Sequence, residues 1–336
     1  MSDADLHALR RRNRILLVGI GILAVSLLVT AVQLQRLTIE IERLKRASPF
    51  EPGALLPPLT VKAADGTGLD TAALRGAPFF IVFASPGCPV CHERAADWNA
   101  IVRAHFENGL RAIAIIRGGS AEETRKLRDA LDPAFVVLAG VEDPAALAAF
   151  RGDQVPRAYL ADRWGRLLLA EAPLDPLDPE EVAKKLLARY PEMQPPGKLL
   201  ALAKKVLPEA ARVTRRPLDG EPDPRLGPFR LDTTDAAGAP LGTALVLEQD
   251  LRCPVCHDLR ALAGLTPEGA VKQVHLLRPI EAHGEEKDAA PFLGRLAGTT
   301  GTQLATAPPD GITGATKSSR ALTEALAAAA KRVGGN

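Results

Sequence analysis

The chain has 336 residues, 46% of them apolar and 24% charged, with 42 basic side chains against 40 acidic ones. That length fits about two domains, and the apolar share supports a packed core and excludes a disordered chain. A net charge of +2 excludes the basic surface that nucleic-acid binding requires, and four cysteines are too few for a disulfide scaffold.

Ile15 to Leu34 runs for twenty residues without a charge. As a helix that run is about 30 Å long, the thickness of a bilayer core. Ala24-Val25-Ser26 resembles the cleavage site of an exported leader, but the apolar run continues past it, so residues 15–35 are read as an uncleaved transmembrane helix. Arg10, Arg11, Arg12 and Arg14 abut the run on its amino side. Arg36, Arg43, Lys45 and Arg46 follow it more loosely, diluted by Glu40 and Glu42. Residues 1–14 are therefore expected as a cytoplasmic tail, with a single pass through the inner membrane and the main body periplasmic or extracellular. Leu34, Leu37, Ile41 and Leu44 continue a heptad seam, so residues 36–48 read as a helical stalk. It is either an amphipathic surface helix or a short dimer contact.

After a proline-rich stretch from Ser48 to Pro58 the pattern becomes regular. Leu59 to Lys62 predicts a strand and Asp65-Gly66 a turn. Phe79 to Phe83 predicts a buried central strand, broken by Ser85-Pro86-Gly87-Cys88-Pro89. Helical spacing runs from Cys91 to Phe106, with Pro89 near the start, where its missing N–H costs nothing. Strands follow at Leu110 to Ile116 and Phe135 to Leu138, with helices at Ala121 to Leu131 and Pro144 to Phe150. Val155-Pro156 opens another strand, Asp162 to Gly165 turns the chain, Arg166 to Ala170 pairs back, and Pro179 to Tyr190 closes with a helix.

All four cysteines lie in two identical pentapeptides, Cys88-Pro-Val-Cys91-His92 and Cys253-Pro-Val-Cys256-His257. A strand, then Cys-x-x-Cys at a helix start, then alternating βα units is the context of a dithiol redox motif. The helix N-terminus favours a thiolate on the first cysteine, so Cys88 is read as the nucleophile. Cys91, one turn on, is read as the resolving thiol that releases a mixed disulfide. Half a zinc site is the lesser reading.

Residues 49–190 resemble the thioredoxin-like domains of membrane-anchored bacterial thiol-disulfide oxidoreductases, and within them the MauD-like accessory proteins of methylamine utilisation. The resemblance is carried by the anchor, Pro52 to Pro57, Phe83 to Cys91, Val155-Pro156 and the Asp162-x-x-Gly165 turn. It implies a cis-proline at Pro156 that docks substrate backbone with Val155 beside the cysteines. It also implies an enzyme that forms or reduces disulfides in exported client proteins, with an integral-membrane redox partner and no cofactor beyond its own disulfide. Two departures stand out: Pro86-Gly87 replaces the tryptophan that usually precedes the first cysteine, and Val82 replaces the buried acid six residues before it.

Residues 191–228 read as a linker, with a helix from Leu199 to Leu207 inside it. Residues 229–336 read as a second, degenerate thioredoxin-like domain, so the expected class is α/β with two such units behind one membrane helix. Its predicted elements are a strand at Thr243 to Leu247, a short helix at Leu259 to Leu265 and a strand at Val271 to Leu277. A hairpin of Gln303 to Thr306 with Ile312 to Ala315, and a closing helix from Ser319 to Val333, complete it. Gly301-Thr302-Gln303 stands where a docking proline is expected. Cys253 and Cys256 are thus either a structural or idle pair, or a second redox centre.

Both pentapeptides also fit the attachment signature of haem c, which makes an electron carrier the rival from another class. Proline inside each motif, the preceding strands and the absence of a distinguished sixth ligand among Met193, His105, His275 and His283 weigh against it. A non-catalytic chaperone or scaffold is the third class. His7 precedes the apolar run and is read as inert.

Overall fold

The computed structural model of the chain describes residues 20–39, 48–141, 143–173, 175–219, 223–251, 258–277, 286–311 and 316–334. They belong to two units, residues 1–47 and residues 48–336. In the first, α1 (Ile20–Ile39) has a mean hydropathy of 1.7 and is long and apolar enough to cross a membrane. The hydroxyls of Thr30 and Thr38 donate to the carbonyls of Ser26 and Leu34 at 2.9 and 2.8 Å. Each of these two hydroxyls is thereby satisfied within the helix. Residues 1–14, expected as a cytoplasmic tail, and Ile41 and Leu44 of the expected stalk lie outside the described residues.

The second unit opens with a hairpin of β1 (Thr60–Lys62) and β2 (Gly68–Asp70), followed by β3 (Phe79–Ala84) and α2 (Pro89–His105). β4 (Arg111–Ile116), α3 (Ala121–Ala130), β5 (Phe135–Ala139) and α4 (Pro144–Ala149) continue the βα alternation. β6 (Arg157–Ala161), β7 (Leu167–Glu171) and α5 (Pro179–Arg189) end it. The sheet order is β5-β4-β3-β6-β7, with β3, β4 and β5 parallel and β6 and β7 antiparallel to their neighbours. Successive side chains of β3 point to opposite faces, and both faces are covered. Phe80, Val82 and Ala84 pack with Trp98 and Val102 of α2 and with Val182 and Leu186 of α5. Phe79, Ile81 and Phe83 pack with Leu59, Phe150 and Tyr159. α3 starts at a capping box, the Ser120 hydroxyl accepting from the Glu123 N–H while the Glu123 carboxylate accepts from the Ser120 N–H. A mixed sheet of this order, with a helix leaving the central strand at Cys-x-x-Cys, is thioredoxin-like.

The chain beyond α5 departs from the expected repeat. The stretch read as a linker holds a buried 3-10 turn at Pro191–Met193, then α6 (Pro196–Ala203) and β8 (Arg212–Pro217). β9 (Leu226–Thr234), β10 (Pro240–Asp250), β11 (Asp258–Leu265) and β12 (Val271–Leu276) follow. All five strands pair antiparallel in sequence order, so the second sheet is a meander with no βαβ crossover and is not a thioredoxin-like unit. The helix expected at Leu259 to Leu265 is a strand because Leu259, Ala261, Ala263 and Leu265 face one side together. On the other side Gly264 has no room for a side chain, since a Cβ there would stand 2.6 Å from the Val206 carbonyl oxygen.

α6, through Leu199 and Leu202, and the turn after it, through Val206, cover one face of the meander. α7 (Glu286–Leu296), α8 (Gly301–Thr306) and α9 (Thr316–Gly334) cover the other. Gln303 to Thr306, expected as a strand, lies in α8 because Thr300 and Gln303 form a capping box. Ile312 to Ala315 lie outside the described residues.

Buried charges join the two sheets. Arg163, in the turn after β6, bonds Glu192 at 2.7 Å, faces Glu248 of β10 at 3.0 Å and donates to the Leu226 carbonyl. Arg189, at the end of α5, pairs with Asp162 at 2.7 Å, with Asp258 at 3.0 Å and with Glu248. Arg166 grips both Asp250 oxygens at 2.7 Å. Burial drives the Glu192 carboxyl above its ordinary range and the Glu248 carboxyl up to about 7, opposed in each case by the facing arginines.

Candidate active site

The sequence Phe83-Ala84-Ser85-Pro86-Gly87-Cys88 carries the chain from the end of β3 to the start of α2. Cys88 is the N-cap residue of α2, in extended conformation, and Pro89 occupies the first turn. Cys88 and Cys91 are joined as a disulfide with their Cα atoms 5.3 Å apart. The Cys91 N–H donates to Cys88 Sγ at 3.2 Å, so the helix N-terminus is directed at the first sulfur. Cys88 is half-buried, whereas Cys91 is sealed beneath the helix among Phe80, Val82 and Trp98. The His92 Nε2–H donates to the Pro86 carbonyl at 2.8 Å and straps the loop to the helix.

The Val155-Pro156 peptide is cis. It precedes β6, and the first residue of that strand, Arg157, pairs with Phe83 at the end of β3. The register therefore brings Val155 and Pro156 to the same end of the sheet as Cys88 and Cys91. Cys253, Cys256 and His257 lie outside the described residues. Their flanks are described: β10 ends at Asp250 and β11 begins at Asp258, paired with each other and bound to Arg166 and Arg189. Gly301-Thr302-Gln303 opens α8 and is no counterpart of the Val155-Pro156 loop.

One acid near this site escapes the sequence pattern. Val82, Ala158 and Glu171 form a row across β3, β6 and β7, so all three side chains lie on the α2 face. The carboxyl missing at Val82 thus recurs two strands away. Glu171 is buried and accepts from Trp98 Nε1 at 2.8 Å, with Arg94 at 3.8 Å. Burial pushes its pKa up to about 6, against the Trp98 bond and the Arg94 charge. Nothing in Leu167-Leu-Leu-Ala-Glu171 marks it as buried, and the Trp98 indole, which needs an acceptor when buried, is the signal that points to it.

Among solved structures, the chain is similar to a secreted Mycobacterium tuberculosis disulfide oxidoreductase homologous to E. coli DsbE. The identity is 18% and the TM-score 0.34, over 39% of this chain and 95% of that one. MTB dsbF is 19% identical with a TM-score of 0.34, over 41% of this chain and 98% of that one. The thioredoxin domain of a thiol-disulfide oxidoreductase from Bacteroides vulgatus is 16% identical with a TM-score of 0.31, over 36% of this chain and 89% of that one. No family model and no curated protein matches the chain. Similarity this distant carries no argument about activity, and the fold assignment rests on strand order and the placement of α2.

Proposed function

We propose that the chain is a membrane-anchored thiol-disulfide oxidoreductase that exchanges disulfides with exported, cysteine-containing clients at Cys88 and Cys91. The observation that carries this reading is the asymmetry of the pair: Cys88 is half-buried at the N-cap of α2 beside the cis Val155-Pro156 loop, and Cys91 is buried below it. In the oxidising direction a client thiolate attacks Cys88 Sγ, the Cys88–Cys91 bond breaks, and Cys91 leaves as a thiolate and takes a proton. A second client thiolate then attacks the client sulfur of the mixed disulfide and releases Cys88. Two electrons and two protons pass from client to protein, and reduction runs the same steps backwards. Val155 and Pro156 hold the client backbone in this scheme. The pair is returned to its starting state by an integral-membrane partner.

The hydropathy of α1 and the arginines at positions 10–14 support an anchor with residues 48–336 outside the cytoplasm. The likeness to MauD rests on motifs within residues 49–190. A haem at the first pentapeptide would need Cys91 Sγ at a surface and His92 Nε2 free for iron, and neither condition fits this geometry. With Val82 in place of an acid, a carboxyl on this face of the sheet comes instead from Glu171, two strands away.

The test is trapping. Cys91→Ser should accumulate mixed disulfides with clients through Cys88, while Cys88→Ser should trap few. Equal trapping by the two variants would overturn the assignment.

A further inference from the structure

A cleft of about 920 Å³ opens on the first sheet where β4 and β5 end, near the upper limit for ligand clefts. Its wall packs on the loop that leads to Cys88. The Arg117 N–H donates to the Ala84 carbonyl at 3.0 Å, at the end of the strand that leads to Cys88. The next loop, Gly118-Gly119, lies so tightly on Pro86 that a Cβ at Gly119 would stand 2.7 Å from the Pro86 ring. Both glycines have positive φ, +66° and +83°, which keeps this wall low and free of side chains.

The charge lining the cleft is one-sided. Arg117, Arg125 and Arg128 face a single acid, Asp65. The acids nearest in sequence are engaged elsewhere: Glu122 pairs with Lys126 at 2.9 Å, and Glu123 closes the capping box of α3. Arg128 stands near Asp65 and contributes to its lowered pKa, behind two hydrogen bonds from Thr67. Arg117 and Arg125 have no side-chain hydrogen bond or ion pair among the described residues, and both are exposed. A guanidinium is always charged, and its planar fork of donors matches a carboxylate. Two unpaired ones in a large cleft, whose wall packs on the Pro86 loop before Cys88, form a surface complementary to negative charge.

We infer that this cleft binds an acidic segment of the client polypeptide, holding Asp or Glu side chains against Arg117 and Arg125 while the client cysteine reaches Cys88. This rests on the exchange reading of Cys88 and Cys91 and adds a client class to it. The cleft steers the encounter and holds the client, and it takes no part in the sulfur chemistry.

The experiment uses the full-length protein in neutral detergent and two synthetic dicysteine peptides, identical except that four flanking residues are Glu in one and Gln in the other. At low salt the acidic peptide should exchange with a kcat/KM roughly five- to ten-fold higher, carried mainly by KM. Arg117→Gln with Arg125→Gln should erase that preference, so that the two peptides exchange with the same kcat/KM. Salt at about 0.5 M should erase it in the wild type. A third, fluorescent peptide has the acidic residues and no cysteine. Its binding, read by anisotropy, should weaken by a similar factor in the double variant, which tests the cleft even if neither dicysteine peptide is exchanged. Equal kcat/KM for the acidic and neutral peptides, or anisotropy unchanged by the double substitution, would overturn the assignment. Exchange absent from both dicysteine peptides, with cleft binding intact, would instead count against the redox reading.

Discussion

Glu171→Gln isolates the energetic effect of burying an acid against α2. The glutamate is 1% exposed, and burial raises its pKa from the ordinary 4.5 to about 6. Below about pH 4 the carboxyl is protonated in both folded and unfolded chains, so its ionisation makes no difference to stability. Between pH 4.5 and 6 the unfolded chain ionises first, and stability falls as pH rises. Above pH 6 the loss is complete. At 1.36 kcal/mol per tenfold change in proton affinity, the loss is about 2 kcal/mol. The substituted amide would be neutral throughout and could still accept from Trp98 Nε1. Denaturant unfolding of the full-length protein at pH 4 and pH 7.5 should show the difference between variant and wild type moving by about 2 kcal/mol in favour of the variant as pH rises. The baseline offset at pH 4 drops out of that comparison. In a Trp164→Phe background, Trp98 emission should titrate near pH 6 and cease to do so once Glu171→Gln is added. Parallel stability differences at the two pH values, with no emission change near pH 6, would refute the reasoning.

Two further outcomes test the junction and the second cysteine pair. Arg163→Met strips the buried Glu192 and Glu248 of a shared partner and should destabilise the protein by about 3–5 kcal/mol near pH 8, and by less near pH 5, as denaturant melts would show. Adding Glu192→Gln and Glu248→Gln should recover much of that loss. Cys253→Ser with Cys256→Ser should leave exchange with a synthetic client within about two-fold of wild type, because the flanking strands are fixed at the end of the first sheet remote from Cys88. Abolished turnover would place the catalytic centre in residues 230–336.

The first sheet could be read from sequence because its strands are buried on both faces and its helices begin at clear signals. Phe79 to Phe83 is an unbroken apolar run, and Ser120 with Glu123 marks a helix start. The second sheet hides for opposite reasons. β8, Arg212-Val-Thr-Arg-Arg-Pro217, is an edge strand with no buried residue, so it carries no apolar alternation. β11 is mostly Ala, Gly and Leu, whose propensities favour a helix over a strand or neither, and only pairing with β10 and β12 decides its form. The charges of the junction were invisible because Asp162 and Arg163 read as an ordinary surface turn. Nothing local reveals that β10 will cover them. The cis bond at Pro156 was implied only by resemblance, since the proline itself permits either isomer.

That junction also bears on how the protein is made. Synthesis runs from the amino end, so Arg166 is in place 84 residues before Asp250, and Arg189 precedes Glu248 by 59. Until β10 arrives, Arg163 has Glu192 and Arg189 has Asp162, but both lack Glu248, the carboxylate that they share. The Cys88–Cys91 pair is therefore translated long before the last carboxylate at the base of its own sheet. A chain released early would carry the whole dithiol motif on an unfinished support.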